Sequence, residues 1–97
     1  MGYQTDLSVS PASYQMAAAD TEQFPFNAGE AIADASAVLV DRRSRREAGT
    51  LATERAGDTL TCSVGGLTYG DVYELIVTFT NGNGDTWSRT LVIECVA

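Results

Sequence analysis

Residues 65–95, GGLTYGDVYELIVTFTNGNGDTWSRTLVIEC, decide the fold of this chain. One face of the first apolar run in this stretch carries Tyr73, Leu75, Val77 and Phe79. A period of two with one apolar face is typical of a half-buried β-strand. Asn81-Gly82-Asn83-Gly84 then supplies residues that tolerate a positive φ, and a second apolar run covers residues 87–96. The stretch therefore predicts a β-hairpin.

Size and charge exclude several classes of protein. Ninety-seven residues suffice for one domain with a single core. The formal net charge is −7, from 13 acidic residues and six arginines, with no histidine. An acidic domain repels phosphate backbones at long range, so we expect no nucleic-acid partner. No apolar run approaches the roughly 20 residues that span a bilayer, so we expect no membrane partner.

The N-terminus and the cysteines bear on the compartment. MGYQTDLSVSPASYQ has neither a basic n-region nor an apolar h-region, so we expect no signal peptide and synthesis in a cytoplasm. Cys62 and Cys95 occupy inward positions of alternating apolar runs, which favours two reduced core thiols over a disulfide, although one disulfide is the open alternative. Two cysteines without a histidine cannot complete a tetrahedral metal site, and we expect no metal or cofactor.

Four of the six arginines lie together in Asp41-Arg42-Arg43-Ser44-Arg45-Arg46-Glu47, here called the arginine loop (residues 41–47). One interpretation is a solvated hairpin tip. Another is a basic patch that docks on an acidic protein surface, because guanidinium forks pair bidentately with carboxylates. Contact with nucleic acid ranks third, since one short basic patch on an acidic body is a weak footprint. The predicted contacts of this loop are Arg42, Arg43, Arg45 and Arg46.

The N-terminal part divides into an arm and the start of the main domain. Residues 5–10 alternate and end at Pro11, which predicts a first strand at a sheet edge. Residues 13–20 show no clear period and fit a loop, a helical turn or an arm that orders against a partner. We therefore assign residues 1–16 to an N-terminal arm or first edge strand and residues 17–97 to a β-sandwich. Predicted partner contacts in the arm are Tyr3, Leu7, Val9, Tyr14 and Met16.

The next segment is ambiguous between helix and strand. Phe24-Pro25-Phe26 is extended, because a residue before proline avoids the α region, and we expect the two phenylalanines to cap one end of the core. In residues 27–41, Asn27-Ala28-Gly29-Glu30 resembles a capping box and the alanines favour helix. One strand face is equally visible in Ala33, Ala35, Ala37 and Leu39. We take the strand, because the all-β remainder needs sheet partners here.

The remaining runs complete the count of strands. Residues 51–55 and 59–64 are two short strands, and the second has inward positions at Leu60, Cys62 and Val64. The chain thus has about seven strands separated by turns that contain Gly or Asn, with neither a secure helix nor an internal repeat. This count predicts an all-β fold of the β-sandwich type.

Residues 67–73, LTYGDVY, resemble the tyrosine corner of fibronectin type III and related immunoglobulin-like domains. The resemblance implies that the Tyr73 hydroxyl bonds to the preceding turn and that Leu67 packs on its ring. The usual proline of the type III motif is replaced by Tyr69, so the chain is similar to the wider immunoglobulin-like class. The predicted fold-defining residues are Leu67, Gly70, Tyr73 and Trp87.

A broader pattern is similar to small structural proteins of tailed bacteriophages. It runs through Phe24-Pro25-Phe26, Gly29-Glu30-Ala31-Ile32, Val38-Leu39-Val40-Asp41, Gly66-Leu67 and the Gly-bearing hairpin. This resemblance implies a virion protein, most simply a capsid decoration, cement or minor capsid protein on the capsid exterior. It also implies binding to the major capsid protein or other virion proteins, commonly as a dimer or trimer.

Two other functional classes were weighed. A tail, neck or fibre module that recognises host carbohydrate or protein is the alternative, with Trp87 beside the 81–85 turn placed to stack on a sugar. If Trp87 instead begins the last strand, it packs on the sandwich. We expect no enzyme, since the chain has no histidine to serve as a general base and no serine or threonine with an evident base partner. The oxygen-rich 81–85 run is explained by a hairpin turn rather than by calcium binding.

Overall fold

The computed structural model describes residues 12–97, which form an all-β, immunoglobulin-like sandwich of two sheets. Its seven strands are β1 (Ala12–Met16), β2 (Glu22–Asn27), β3 (Asp34–Asp41), β4 (Thr50–Ala56), β5 (Thr59–Gly65), β6 (Val72–Thr80) and β7 (Thr86–Cys95). The four-stranded sheet has the order β1-β7-β6-β3, and the three-stranded sheet has the order β2-β5-β4. The predicted fold class is confirmed.

The hairpin predicted from residues 65–95 is present as β6 and β7. The two strands pair antiparallel, from Val72 opposite Glu94 to Thr80 opposite Thr86. The Oδ1 atom of Asn81 accepts hydrogen bonds from the backbone N–H groups of Asn83 at 2.9 Å and Asp85 at 3.0 Å. Asparagine at this position therefore fixes the turn through its side chain, as turn chemistry leads one to expect.

The core lies between the two sheets and contains the residues expected from alternation. The buried side chains of β6 are Tyr73, Leu75, Val77 and Phe79, and those of β5 include Leu60, Cys62 and Val64. Phe24 and Phe26 of β2 are fully buried and belong to the core. No polar or charged side chain among the described residues is buried, and the interior is therefore held by apolar contact.

The ambiguous segment 27–41 resolves into a turn followed by a strand. The Asn27 Oδ1 atom accepts a hydrogen bond from the Gly29 N–H at 2.7 Å, and Gly29 has a φ of 82°. Asn27 therefore stabilises a turn and does not cap a helix. From Asp34 onward the strand interpretation is confirmed, with Leu39 buried and Ala35 half-buried on the inward face.

The tyrosine corner has the geometry that the resemblance implied. The backbone N–H of Thr68 donates a hydrogen bond to the Tyr73 hydroxyl oxygen at 2.9 Å. Tyr73 is only 2% exposed, and Leu67 is also buried. Gly70 has a φ of 91°, a backbone conformation that favours glycine. The corner joins the turn after β5 to the start of β6, since one side chain contacts both.

Of the two alternatives for the N-terminal part, arm or edge strand, residues 12–16 adopt the edge strand of the four-stranded sheet. These residues form β1, which pairs in parallel with β7 from Ala12 opposite Leu91 to Met16 opposite Cys95. Met16 is 3% exposed and lies in the core, and the rings of Tyr14 and Phe24 meet edge-to-face at 5.1 Å. A boundary after residue 16 would cut this strand from the sandwich that it completes. The predicted strand at residues 5–10, with Tyr3, Leu7 and Val9, lies outside the described residues.

Candidate partner-binding surface

The arginine loop connects β3 in one sheet to β4 in the other, and backbone hydrogen bonds define its shape. The Asp41 Oδ1 atom accepts from the N–H groups of Arg43 at 2.8 Å and Ser44 at 3.1 Å. The Asp41 N–H donates to the Arg46 carbonyl, and the Arg45 N–H donates to the Asp41 carbonyl, both at 2.8 Å. The loop is therefore a tight turn between the two sheets, closed by an isolated antiparallel bridge between Val40 and Glu47, and not the tip of a hairpin within one sheet. Its conformation is fixed by one aspartate at its base.

Two of the four arginines are paired within the molecule. Arg42 Nε lies 3.4 Å from one Glu74 carboxylate oxygen, and Arg45 Nη1 lies 3.6 Å from the other. Glu74 is on the outward face of β6, and its side chain is only 18% exposed. Exposed ion pairs of this kind contribute about 1 kcal/mol or less, so their main effect is to orient Arg42 and Arg45.

The other two arginines form the part of the loop that is available to a partner. Arg43 and Arg46 are exposed, and within residues 12–97 neither guanidinium lies in an ion pair. We call Arg43 and Arg46 the open arginines. A guanidinium without an internal carboxylate can present its full fork of donors to an external one. The loop therefore divides into a pair that holds its shape and a pair that offers charge.

Arg45 adopts a φ of 63°, the one positive φ at a non-glycine residue in the described chain. Such a conformation costs about 1–2 kcal/mol for an L-residue. It persists where surrounding contacts over-determine the backbone, and here the hydrogen bonds of Asp41 and Ser44 flank it. The loop is thus held in a defined and slightly strained shape.

An apolar strip lies beside the arginine loop on the outward face of the four-stranded sheet. Val38 pairs with Ile76, and Val40 pairs with Glu74, so their side chains share this face. Val92, opposite Glu74 on β7, is 7% exposed yet is not part of the core cluster. The members of this outer strip are Val38, Val40, Ile76 and Val92. Glu74 lies between Val40 and Val92 in the register, so the strip is interrupted by the carboxylate that pairs with Arg42 and Arg45.

Sequence analysis missed Glu74 as the partner of Arg42 and Arg45. Glu74 lies on the outward face of β6, where alternation alone predicts a solvent-facing residue. The missing information was the pairing of β3 with β6, which places Val40 opposite Glu74 and the arginine loop just beyond it. A pattern within one strand does not specify which strand lies next to it.

Trp87 packs on the sandwich, as predicted if this residue begins the last strand. It is the cross-strand partner of Phe79, and the two ring centroids are 5.8 Å apart. Trp87 remains half-buried, and stacking of a sugar on it stays a prediction. The neighbouring turn uses Asn81 for its own hydrogen bonds.

The cysteines are free and buried, as expected. Burial raises the pKa of the Cys62 thiol from 9.0 to about 12, because desolvation disfavours the thiolate. A protonated buried thiol is a poor nucleophile. Across residues 12–97, no cluster of three or more His, Cys, Asp or Glu side chains is arranged to hold a metal ion. In that same range there is no helix long and apolar enough to cross a membrane.

Comparison with known proteins assigns neither a family nor a function to this chain. No protein-family model matches the sequence, and no curated protein is significantly similar to it. The surface described above, with the arginine loop and the outer strip side by side, is therefore the basis for a functional proposal.

Proposed function

We propose that this protein is a non-enzymatic structural protein of a phage virion that decorates or cements the capsid exterior. Its partners in this proposal are the major capsid protein or other virion proteins, bound through surface contacts. The single observation that carries the binding mode is the pair of open arginines, exposed on a fixed loop of a chain with net charge −7. The virion setting is supported by the resemblance to small tailed-phage structural proteins.

The shape of the domain supports a role that works through its surface. Apolar side chains from both sheets fill the interior of the described sandwich. Arg43 and Arg46 supply charge-assisted hydrogen bonds to carboxylates on a partner. Val38 and Ile76 of the outer strip add apolar area that becomes dry on contact. An interface of standard size, on the order of 1,600 Å² in total, suffices for specific association.

Cementing follows from such an interface without any catalytic step. A copy that contacts two shell subunits adds its contact free energy to the work of separating them. Many copies on a repeating lattice multiply this effect, because every junction gains the same contacts. The requirement on the protein is a rigid body with defined surface chemistry, and a β-sandwich with a fixed loop meets it.

Locating the protein on assembled particles tests the setting. Mass spectrometry of purified virions should detect it, and cryo-electron microscopy should show immunoglobulin-like density on the outer shell that disappears when its gene is deleted. Density on the tail, neck or fibre instead would favour the recognition module. Absence from purified particles would refute the virion proposal altogether.

A further inference from the structure

Each sheet of the described sandwich ends in two edge strands, and these edges differ in whether they can accept another strand. The edges are β1 and β3 in the four-stranded sheet and β2 and β4 in the three-stranded sheet. An open edge presents unpaired N–H and C=O groups to any further strand. Proteins block such edges with proline, with short strands or with a covering segment. The edge that lacks such protection is where a further strand can add.

Three of the four edges are protected. β1 is short, with five residues. β2 contains Pro25, which has no N–H to offer to a further strand. On the edge of β3, the Leu39 carbonyl accepts from the Ala48 N–H at 3.2 Å. The Asp41 N–H donates there to the Arg46 carbonyl at 2.8 Å. The chain that follows β3 therefore covers part of the edge of that strand.

β4 is a long edge without such protection. It has seven residues, contains no proline, and all of its residues except Leu51 are exposed. Within residues 12–97, no strand pairs with its outer side. Arg55 lies opposite the buried Leu60 and is thus an inward charge, which can also protect an edge. Its guanidinium is held by the carbonyls of Ile32 at 3.0 Å and Ala33 at 2.9 Å, so it folds back on its own domain.

The turn between β4 and β5 determines which backbone groups of β4 face outward. Residues 57–58 form a two-residue turn that places Ala56 opposite Thr59, and Gly57 has a φ of 62°. Residues that flank such a turn exchange backbone hydrogen bonds, and the bonded positions then alternate along the strand. The residues of β4 whose N–H and C=O groups point away from β5 are therefore Leu51, Thr53 and Arg55.

Pro25 provides an independent check of this alternation. Thr61 lies opposite Glu54 on one side and opposite Pro25 on the other. In the alternation above, Glu54 exchanges hydrogen bonds with Thr61. Pro25 then has no bond to make with Thr61, as its missing N–H requires. The outward direction of the Thr53 groups is thus supported from both sides of β5.

We propose that β4 of one copy pairs with β4 of a second copy, antiparallel and around a two-fold axis at Thr53. In this register Thr53 lies opposite Thr53, Leu51 lies opposite Arg55, and Ala52 lies opposite Glu54. The outward-pointing residues of both copies then bond to one another, with about six hydrogen bonds in total. The two three-stranded sheets become one continuous sheet. This inference goes beyond the proposed function, since it uses neither the open arginines nor a virion partner.

The side chains of β4 are self-complementary in this register, which is the reason to choose a second copy as the occupant. Glu54 meets an alanine, so no like charges are opposed. An axis moved by one residue to Glu54 would place two Glu54 carboxylates opposite each other, which is destabilising. It would also leave only about four hydrogen bonds. The Thr53 pair is a favourable cross-strand pair, and Leu51 can pack on the methylene stem of Arg55.

Sedimentation velocity of the full chain tests the pairing. Wild type should form a dimer whose fraction rises with concentration. Added salt should not dissociate this dimer, because each copy has a net charge of −7 and screening reduces their repulsion. Thr53→Pro removes an outward N–H while the bonds to β5 remain, so this variant should associate at least tenfold more weakly than wild type.

Opposite charges at position 52 test the register. Ala52→Glu places a carboxylate opposite Glu54 of the second copy and should weaken the dimer at least tenfold. Ala52→Arg places a guanidinium there and should make the dimer tighter than that of wild type. Gln23→Glu and Gln23→Arg are the matched controls. Gln23 lies in the same row and on the same face, across Ser63 from Ala52, but on the opposite edge of the sheet. Both controls should dimerise like wild type.

Two results would overturn the β4 pairing. One is a wild type that sediments as a monomer at every concentration, and the other is equal association of the two Ala52 variants. Thermal unfolding of each variant shows whether it is folded, and the two Ala52 variants decide the matter if Thr53→Pro does not fold. Loss of this pairing would leave the arginine loop and the virion proposal untouched, because those are decided by the particle experiments.

Discussion

At the scale of single residues, the hydroxyl of Tyr73 makes the hydrogen bond that defines the tyrosine corner. Removing it in Tyr73→Phe leaves the Thr68 N–H without its 2.9 Å acceptor while the ring keeps its packing. We expect the free energy of unfolding to fall by about 1–2 kcal/mol, measured by urea denaturation. Tyr69→Phe is the matched control, since Tyr69 is 69% exposed and should lose nothing measurable. Equal effects of the two substitutions would show that the corner hydrogen bond has no stabilising role.

Gly49 is the glycine whose replacement should cost most. It has a φ of 73°, and a Cβ there would lie 2.9 Å from Leu67 Cδ2 and 3.0 Å from the Gly65 carbonyl oxygen. Gly57 has a φ of 62° but nothing within 4 Å of its Cβ position. Backbone strain should cost about 1–2 kcal/mol in both Gly49→Ala and Gly57→Ala.

The difference between the two glycine variants isolates the packing effect. Overpacking should add about 1–3 kcal/mol for Gly49→Ala alone, seen as a lower urea midpoint with an unchanged slope. If Gly57→Ala were the more damaging of the two, the close approach of Gly49 to Leu67 would be contradicted.

The Cys62 thiol should be almost inert in the folded protein. With its pKa raised to about 12, the thiolate fraction near neutral pH is about 1,000-fold lower than for an ordinary thiol with a pKa of 9.0. Alkylation of Cys62 with iodoacetamide should therefore become fast only when urea unfolds the chain. Rapid labelling of folded protein at Cys62, identified by peptide mapping, would refute the burial of this side chain.

The same thiol predicts a pH dependence of stability. The folded pKa lies above the unfolded value, so the folded chain retains a proton that the unfolded chain loses between pH 9 and about 12. The free energy of unfolding should be insensitive to this group below pH 9 and should fall as pH rises above it. Cys62→Ala serves as the comparison, since this variant should lose that part of the alkaline decline. Identical pH profiles for the two proteins would contradict the shifted pKa.

At the scale of elements, β1 shows what the sequence pattern concealed. Residues 12–16 alternate, with Tyr14 and Met16 on the inward side. A run of five residues next to several alanines is too short for its alternation to be recognised in the sequence. Its pairing with β7 is also a contact between the two ends of the described chain, which no local pattern reveals. By contrast, nine residues of strict alternation made β6 predictable.

The strand prediction for residues 27–41 holds only from Asp34 onward, again because the local sequence pattern is ambiguous. Its alanines suit a helix and a strand equally, because a small side chain fills little space in either. The strand half followed from the needs of the sheet, whereas the turn at residues 28–33 depends on the local hydrogen bond from the Gly29 N–H to Asn27.

The candidate surface was predictable only as a run of arginines. The division into paired and open arginines required the position of Glu74.

Met16 provides the test of β1 as a structural strand. Met16→Ala should reduce the free energy of unfolding by about 2–5 kcal/mol, since a 3% exposed side chain is removed from the core. Met16→Leu keeps the volume and should cost less than about 1.5 kcal/mol. Chemical denaturation of both variants decides the matter. An unchanged stability in Met16→Ala would favour the arm alternative for residue 16 over the edge strand.

At the scale of the whole molecule, the proposed binding mode depends on the charged side chains lying outside the apolar core. Seven strands enclose an apolar interior, and the chemistry available to a partner lies on loops at the two ends and on the outer strip. Net charge alone gave no sign of this arrangement, since −7 describes an acidic protein without saying where its arginines are. The order of the strands supplies that information.

The most direct measurement is the binding of purified protein to particles that lack it, with occupancy followed by densitometry across a titration. Arg43→Gln with Arg46→Gln removes both open arginines. Arg89→Glu changes the net charge by the same amount at a site on β7, opposite Val77 and away from the loop. The account predicts at least tenfold weaker binding for the double variant and wild-type binding for Arg89→Glu. Equal occupancy by the double variant and wild type would contradict the claim that the arginine loop is the docking element.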